Sequence, residues 1–341
     1  PVRSGAGCGT CRLERPPSWN WIAFVPGDTM NRIPSTRWPD HRPFALFLSH
    51  DVDQIHDREL FRILADVNHV RRMLAQGERG NLRLALRRIA RALVAPKPAE
   101  RDFRTLLDIE ARHGFRSTFF VLHDPYWSRH GPRYRLTCPE LRRIADRIRA
   151  AGGEIGLHGG VLRLDRAEAY RESREALRAA LGVEAVGIRN HLLRFSGADT
   201  WAAQEAAGFE YDATFGFADR PGAREGRMFP FFPEKRNILE LPLTVMDVTL
   251  FRNLALDGPA ALEAAWAAIE PVIDAGGLVS LLWHNNYFNE PEYADWQWTY
   301  ERLLERLAAQ NPWCAPGAEI AAWWRALPEN SPLAGEATTV E

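Results

Sequence analysis

The sequence has no uninterrupted apolar run of the ~18 residues that a membrane-crossing helix needs. Its opening stretch, Pro1 to Thr10, holds no apolar core of the kind a secretory signal requires. The default expectation is therefore a cytoplasmic protein. Cysteine is scarce, with 4 in 341 residues, which fits a reducing compartment. Only Cys8 and Cys11 lie close together, in Cys-Gly-Thr-Cys, and no second such pair follows to complete a zinc knuckle. They read as an ordinary pair in a loose N-terminal tail. An excess of one charge is also missing: 43 Lys and Arg against 44 Asp and Glu leave a net charge of −1. That excludes any global electrostatic case for a nucleic-acid partner. There is no internal repeat, and no Gly-rich phosphate loop follows the first strand pattern, which argues against a nucleotide-binding α/β fold.

What is present is enough apolar sequence, 46%, to bury one large core. Residues 1–40 are rich in Pro, Gly and Arg and read as an N-terminal extension, and 329–341 as a frayed C-terminal tail. Between them, 41–328 alternates short apolar segments with helical patterns. The expected strands are Phe44–His50, Ser117–Leu122, Glu154–His158, Ala185–His191, Tyr211–Thr214, Ile238–Val245 and Leu278–His284. The expected helices are Glu59–Ala75, Asn81–Val94, Asp102–His113, Pro139–Ala151, Arg166–Leu181, Ala198–Ala207, Pro259–Ala275, Trp296–Ala309 and Ala318–Ala326. Gly152-Gly153 and Gly276-Gly277 stand where left-handed caps would end two helices just before a strand. Strand–helix repetition with apolar strands predicts a parallel sheet covered by helices. Seven such strands point to an α/β barrel, closed or nearly so, with an open doubly wound sheet as the competing architecture.

In parallel barrels the reactive side chains gather at the C-terminal ends of the strands. Here those ends carry Ser49-His50-Asp51-Val52-Asp53, then His158 in Gly-Leu-His-Gly-Gly, Arg189-Asn190-His191, Asp247, and Trp283-His284-Asn285-Asn286. Each residue has a bland reading: an aspartate after a strand often caps a turn, and a lone histidine is usually a satisfied core residue. Their joint placement argues otherwise. Asp51 and Asp53, at i and i+2, leave an extended chain on one face, where paired carboxylates are costly unless a cation or base compensates. One Asp with two His is a standard ligand set for a zinc-like divalent ion with open positions. Such an ion acidifies water and polarises a carbonyl. A nearby carboxylate can then act as base and a histidine opposite as acid.

The order of these segments resembles the polysaccharide deacetylase family (carbohydrate esterase family 4) over about residues 42–290. The resemblance implies a distorted seven-stranded (β/α) barrel. It also implies that Asp51 is the general base, Asp53 and His158 are metal ligands, Arg189 orients the base, and His284 is the acid supported by Asp247. Two departures stand out. The family's aspartates are adjacent, whereas Val52 separates these, so their two roles are open to exchange. The family's second motif carries another histidine four residues on, where this sequence has Leu162. His191, ending the next strand, is the replacement ligand expected here. The resemblance thus points to a divergent branch of the family.

Aromatic side chains at barrel loops stack on sugars or cover the core. Trp127, Tyr126 and Tyr134, with His123 and His130, lie in the loop after the second strand, and Tyr287 and Phe288 follow His284. Trp127, Asn285 and Tyr287 are the expected substrate contacts. Phe209–Pro233, with Arg220, Arg224 and Arg227, reads as a lid or specificity segment. Asn81–Val94 sets four arginines opposite an apolar stripe; membrane-surface contact is the minor reading and packing on its own domain the main one. The expectation is a metal-dependent hydrolase, one zinc-like ion per chain, removing an N-acetyl or other acyl group from an amino sugar. The alternatives are an O-deacetylase, an amidohydrolase of a small nitrogenous metabolite, and a glycan-binding protein without turnover.

Overall fold

The computed structural model describes residues 37–55, 100–125, 130–132, 134–233 and 236–328, with isolated positions between 67 and 90. These belong to one compact unit, Ser35–Glu341. Cys8, Cys11, Tyr126, Trp127, the tail from Glu329, and all but isolated positions of the expected helices Glu59–Ala75 and Asn81–Val94 lie outside the described residues.

Nine strands are described: β1 Ala45–Val52, β2 Ser117–His123, β3 Glu154–Gly159, β4 Gly187–Asn190, β5 Tyr211–Asp212, β6 Leu239–Glu240, β7 Val245–Met246, β8 Leu278–Leu282 and β9 Trp313–Cys314. Among the described residues seven helices of three or more turns, or close to it, cover them: α1 Glu100–Ala111, α2 Pro139–Ala150, α3 Ala167–Leu181, α4 Ala198–Ala206, α5 Gly258–Asp274, α6 Ala294–Ala308 and α7 Gly317–Ala326. Local chemistry sets several of their ends. Pro139 opens α2, where its missing N–H costs nothing. The Asp257 side chain accepts the Ala260 N–H at 3.0 Å to cap α5. Gly152 and Gly276 take left-handed backbone (φ 74° and 69°), the turn that ends a helix and feeds β3 and β8.

The named strands pair in parallel, in the order β6-β5-β4-β3-β2-β1-β8-β7, with β9 beside the start of β1. The two edge strands, β6 and β7, are halves of one segment, expected from sequence as the single strand Ile238–Val245. Its first half pairs with β5 and its second with β8. Between them the backbone bonds first one side and then the other. Leu241 N–H donates to Asp212 O at 2.8 Å, Leu243 N–H to Phe215 O at 2.9 Å, and Thr244 N–H to Ser280 O at 3.0 Å. Pro242, which has no N–H to give, stands at the crossover. One segment thus spans the seam of a parallel α/β barrel.

Side-chain parity divides the wall into two faces. On β1, Leu46, Leu48 and Val52 join the large apolar layer under the helices, and Ala45 and Phe47 join a smaller cluster with Tyr211, Leu241 and Ile320. The Phe47 and Tyr211 rings lie 6.4 Å apart edge-to-face although β1 and β5 are not neighbours, so this contact crosses the barrel interior. The N-terminus of α7 closes the floor: Glu154 accepts the Ala318 N–H at 2.9 Å and the Tyr211 hydroxyl at 2.9 Å, which satisfies one of the free N–H groups of the first helical turn. Trp38 is buried there too, against Trp313 and Trp324, donating to Gly276 O at 2.8 Å. The floor is filled, which leaves the opposite end for chemistry. No helix among the described residues is long and apolar enough to cross a membrane.

Candidate active site

At the C-terminal end of β1 the inward face continues from Phe47 through Ser49 and Asp51 to Asp53. Arg189, from the end of β4, reaches across the interior to this row. Its Nη1 donates to Ser49 Oγ at 2.8 Å and to Asp51 Oδ1 at 3.1 Å, while Nε donates to Ala213 O at 2.8 Å. The guanidinium also lies over the Phe120 ring, 4.7 Å from its centroid. Both partners are buried, Arg189 fully and Asp51 to 4% exposure, so the pair is held in one geometry. Ser49 was not singled out from sequence, although it lies two residues before Asp51 on the same face.

His158 ends β3 and is fully buried. Its Nδ1 lies 2.8 Å from Arg189 O. A carbonyl only accepts, so Nδ1 carries the hydrogen and, in the neutral ring, Nε2 presents a lone pair. Burial pushes the His158 imidazole below the ordinary histidine value, with Asp51 pulling the other way. Nε2 faces Asp51 Oδ2 at 3.4 Å and Asp53 Oδ1 at 3.5 Å, yet has no hydrogen-bond partner among the described residues. A buried lone pair aimed at two carboxylates is the arrangement that a cation between them would satisfy.

His191 completes the cluster. It heads a turn in which Leu192 and Leu193 both adopt left-handed backbone (φ 61° and 49°), each at a cost of about 1–2 kcal/mol. Leu193 packs against Leu243, Met246 and Leu282, which anchors the turn. His191 Nε2 thereby lies 3.8 Å from Asp53 Oδ1, and its ring is 5.0 Å from that of His158. Asp53, His158 and His191 offer ligand atoms all within 4.8 Å of one another. Leu162, where the family pattern would place a histidine, is exposed.

On the other side of Asp53 stands His284, its Nε2 3.9 Å from Asp53 Oδ2. Asp247, fully buried, holds it twice: Oδ1 meets the ring Nδ1 at 2.8 Å and Oδ2 accepts the backbone N–H at 2.7 Å. Burial alone would push this imidazole down, but the Asp247 carboxylate, helped by Asp53 and Asp51, lifts it to about 9. The mouth of the site opens at Asp53, which is 32% exposed.

The expected substrate contacts fare differently. Asn285 is buried and donates to Gln54 O at 3.0 Å, tying the end of β1 to the end of β8. Tyr287 is buried against Trp296 and Tyr293 with Arg252 over its ring, and its ring lies 6.0 Å from that of His284. Trp127 lies outside the described residues. His130, from the same loop, brings its ring to 6.3 Å from that of His191. In the segment expected as a lid, the arginines stack on phenylalanines: Arg220 at 3.7 Å over Phe217, Arg224 at 4.5 Å over Phe215 and Arg227 at 4.6 Å over Phe231. Phe231 in turn bridges to Glu240, so the segment packs on the seam.

No family model and no curated protein matches the sequence. Solved structures do. A putative polysaccharide deacetylase from Mycobacterium smegmatis superposes with TM-score 0.55 at 23% identity, over 85% of this chain and 92% of that one. Puue allantoinase superposes with TM-score 0.56 at 15% identity, over 86% and 93%. A probable polysaccharide deacetylase from Pseudomonas aeruginosa PAO1 gives TM-score 0.53 at 16% identity, over 85% and 93%. In its fold, therefore, this chain is a (β/α) barrel of the polysaccharide deacetylase type.

Proposed function

We propose that the protein is a metal-dependent hydrolase that removes an N-acyl group, foremost N-acetyl, from an amino sugar in a glycan or glycan precursor. The observation that carries this reading is His158 Nε2, buried without a hydrogen bond and aimed at two carboxylates. Asp53, His158 and His191 would hold the ion, and zinc suits one carboxylate with two imidazoles. When bound, a divalent ion supplies an acidified water and a polarised acyl carbonyl. The chain's own residues supply the proton chemistry. Asp51, oriented by Arg189, takes the proton of the attacking water. His284, held protonated by Asp247, faces Asp53 from the opposite side and delivers a proton to the departing amine. A carbohydrate substrate accords with the deacetylases that share the fold.

The test is metal analysis of purified wild type, His158→Ala and His191→Ala, followed by acetate release from a panel of N-acetylated amino sugars. A single divalent ion per chain, lost in both variants, is expected. Asp51→Asn should keep the ion and lose acetate release. Failure to bind zinc even after incubation would refute the hydrolase. An ion bound without acyl release from any sugar or small amide would leave a binding protein.

A further inference from the structure

We propose that His50 is a positioning residue for His284, acting through the peptide bond that joins Trp283 to His284. The inference rests on the hydrolase reading for its consequence, but the contacts stand without it. On β1 the odd positions from 45 to 53 face the barrel interior, so His50 faces outward. There its neighbours on the strand, Leu48 and Val52, belong to the apolar layer under the helices. His50 is fully buried in that layer, its ring 4.6 Å from that of Phe119. A polar ring there is costly unless both of its nitrogens are satisfied.

Both are. Nδ1 lies 2.7 Å from Trp283 O, and because a carbonyl only accepts, Nδ1 carries a hydrogen. Nε2 lies 2.8 Å from Glu110 Oε1. That carboxyl also receives the Tyr300 hydroxyl on Oε1 at 2.7 Å and the Ser117 hydroxyl on Oε2 at 2.6 Å. The pair is buried on both sides and braced by α1, α6 and β2.

The consequence lies one bond away. The Trp283–His284 peptide offers its carbonyl outward to His50 and its N–H inward to Asp247 Oδ2 at 2.7 Å. An imidazole N–H thus grips one end of the peptide and the Asp247 carboxylate the other, through the barrel wall. Asp247 fixes the ring and the amide hydrogen of His284, and the Trp283 N–H donates to Ser49 O at 3.0 Å. The His50 contact fixes the remaining polar end of the Trp283–His284 peptide, its carbonyl, and so holds His284 Nε2 toward Asp53.

Two near-isosteric substitutions separate this role from that of a plain core contact. Asparagine places an amide nitrogen where Nδ1 was and keeps the Trp283 contact; glutamine places one where Nε2 was and keeps only the Glu110 contact. On any substrate turned over, His50→Gln should lower kcat about 10–100-fold with KM and metal content unchanged, and His50→Asn should restore most of that loss. Equal activity in the two variants, or greater activity in His50→Gln, overturns the proposal. Should no substrate be turned over, nitrogen-15 spectra of the histidine side chains decide it. Wild type should show a hydrogen on Nδ1 of His50, and the His284 Nδ1–H signal should shift in His50→Gln but not in His50→Asn. A bare Nδ1 on His50, or an unmoved His284 signal in His50→Gln, refutes it. Absence of bound metal would count against the hydrolase alone.

Discussion

Replacing Asp212 by asparagine is expected to stabilise the protein at neutral pH and to flatten the pH dependence of its stability. Asp212 and Glu240 occupy register-paired positions on β5 and β6 and are both fully buried. Burial, eased in part by hydrogen bonds, raises the Asp212 carboxyl from 3.8 to about 6. Burial, and then the charge of Asp212, lifts Glu240 well above its ordinary 4.5. A raised carboxyl means that the folded chain holds a proton which the unfolded chain gives up. Its stabilising contribution is complete below 3.8 and is lost as pH climbs through about 6. A shift of about 2 units at 1.36 kcal/mol each makes that loss about 3 kcal/mol. Asparagine suits the site. Oδ1 accepts from the N–H groups of Ala213 and Thr214 at 2.9 and 3.2 Å and from the Thr214 hydroxyl, all of which an amide oxygen can do. Oδ2 lies beside the Glu240 carboxyl and the Gln204 amide, to either of which an NH2 there can donate. Thermal or urea unfolding followed by tryptophan fluorescence from about pH 4 to pH 7.5 would measure the difference between variant and wild type. That difference should be near zero at the acid end and grow to about 3 kcal/mol at the neutral end. A constant offset across the range, or a variant less stable at neutral pH, would refute the reasoning.

Other expectations follow from the site itself. Asp247→Asn cannot satisfy the His284 ring and its backbone N–H as an anion does, so kcat should fall about 10–100-fold with the bound metal retained, as steady-state kinetics and metal analysis would show. Arg189→Met strands the buried Asp51 carboxylate and should cost about 3–5 kcal/mol in chemical denaturation. Gly160→Ala would set a Cβ 2.4 Å from the Asp124 side chain, two residues after His158. It should weaken zinc affinity in a competition titration and cost about 1–3 kcal/mol of stability.

Much of the barrel was legible because its information is local. Apolar runs marked β1, β2, β3 and β8, the last two entered through glycine caps, and helical periodicity marked the helices between them. Period-2 parity put Asp51 and Asp53 on one face, and the structure sets both beside His158. The rest is non-local. Ile238–Val245 read as one strand because its apolar content is continuous; that its halves pair with different neighbours depends on strands far away in sequence. The two-residue strand β9 carries too little pattern to be seen. His50 looked like part of the aspartate motif, but facing the opposite side of β1 it meets Glu110, Tyr300 and Trp283, which no spacing along the chain brings together.

The sequence by itself determined the alternation of strands and helices, the end of the barrel at which polar residues collect, and the residue types available there. Those properties follow from backbone propensity and side-chain periodicity within a few residues. Tertiary structure alone decided which nitrogen of each histidine faces inward and that Leu162 turns to solvent. It also set the distances at which the expected ligand His191 approaches Asp53 and the expected orienting residue Arg189 reaches Asp51. These depend on barrel closure, which brings the ends of strands distant in sequence within hydrogen-bonding reach, and closure is a property of the whole sheet.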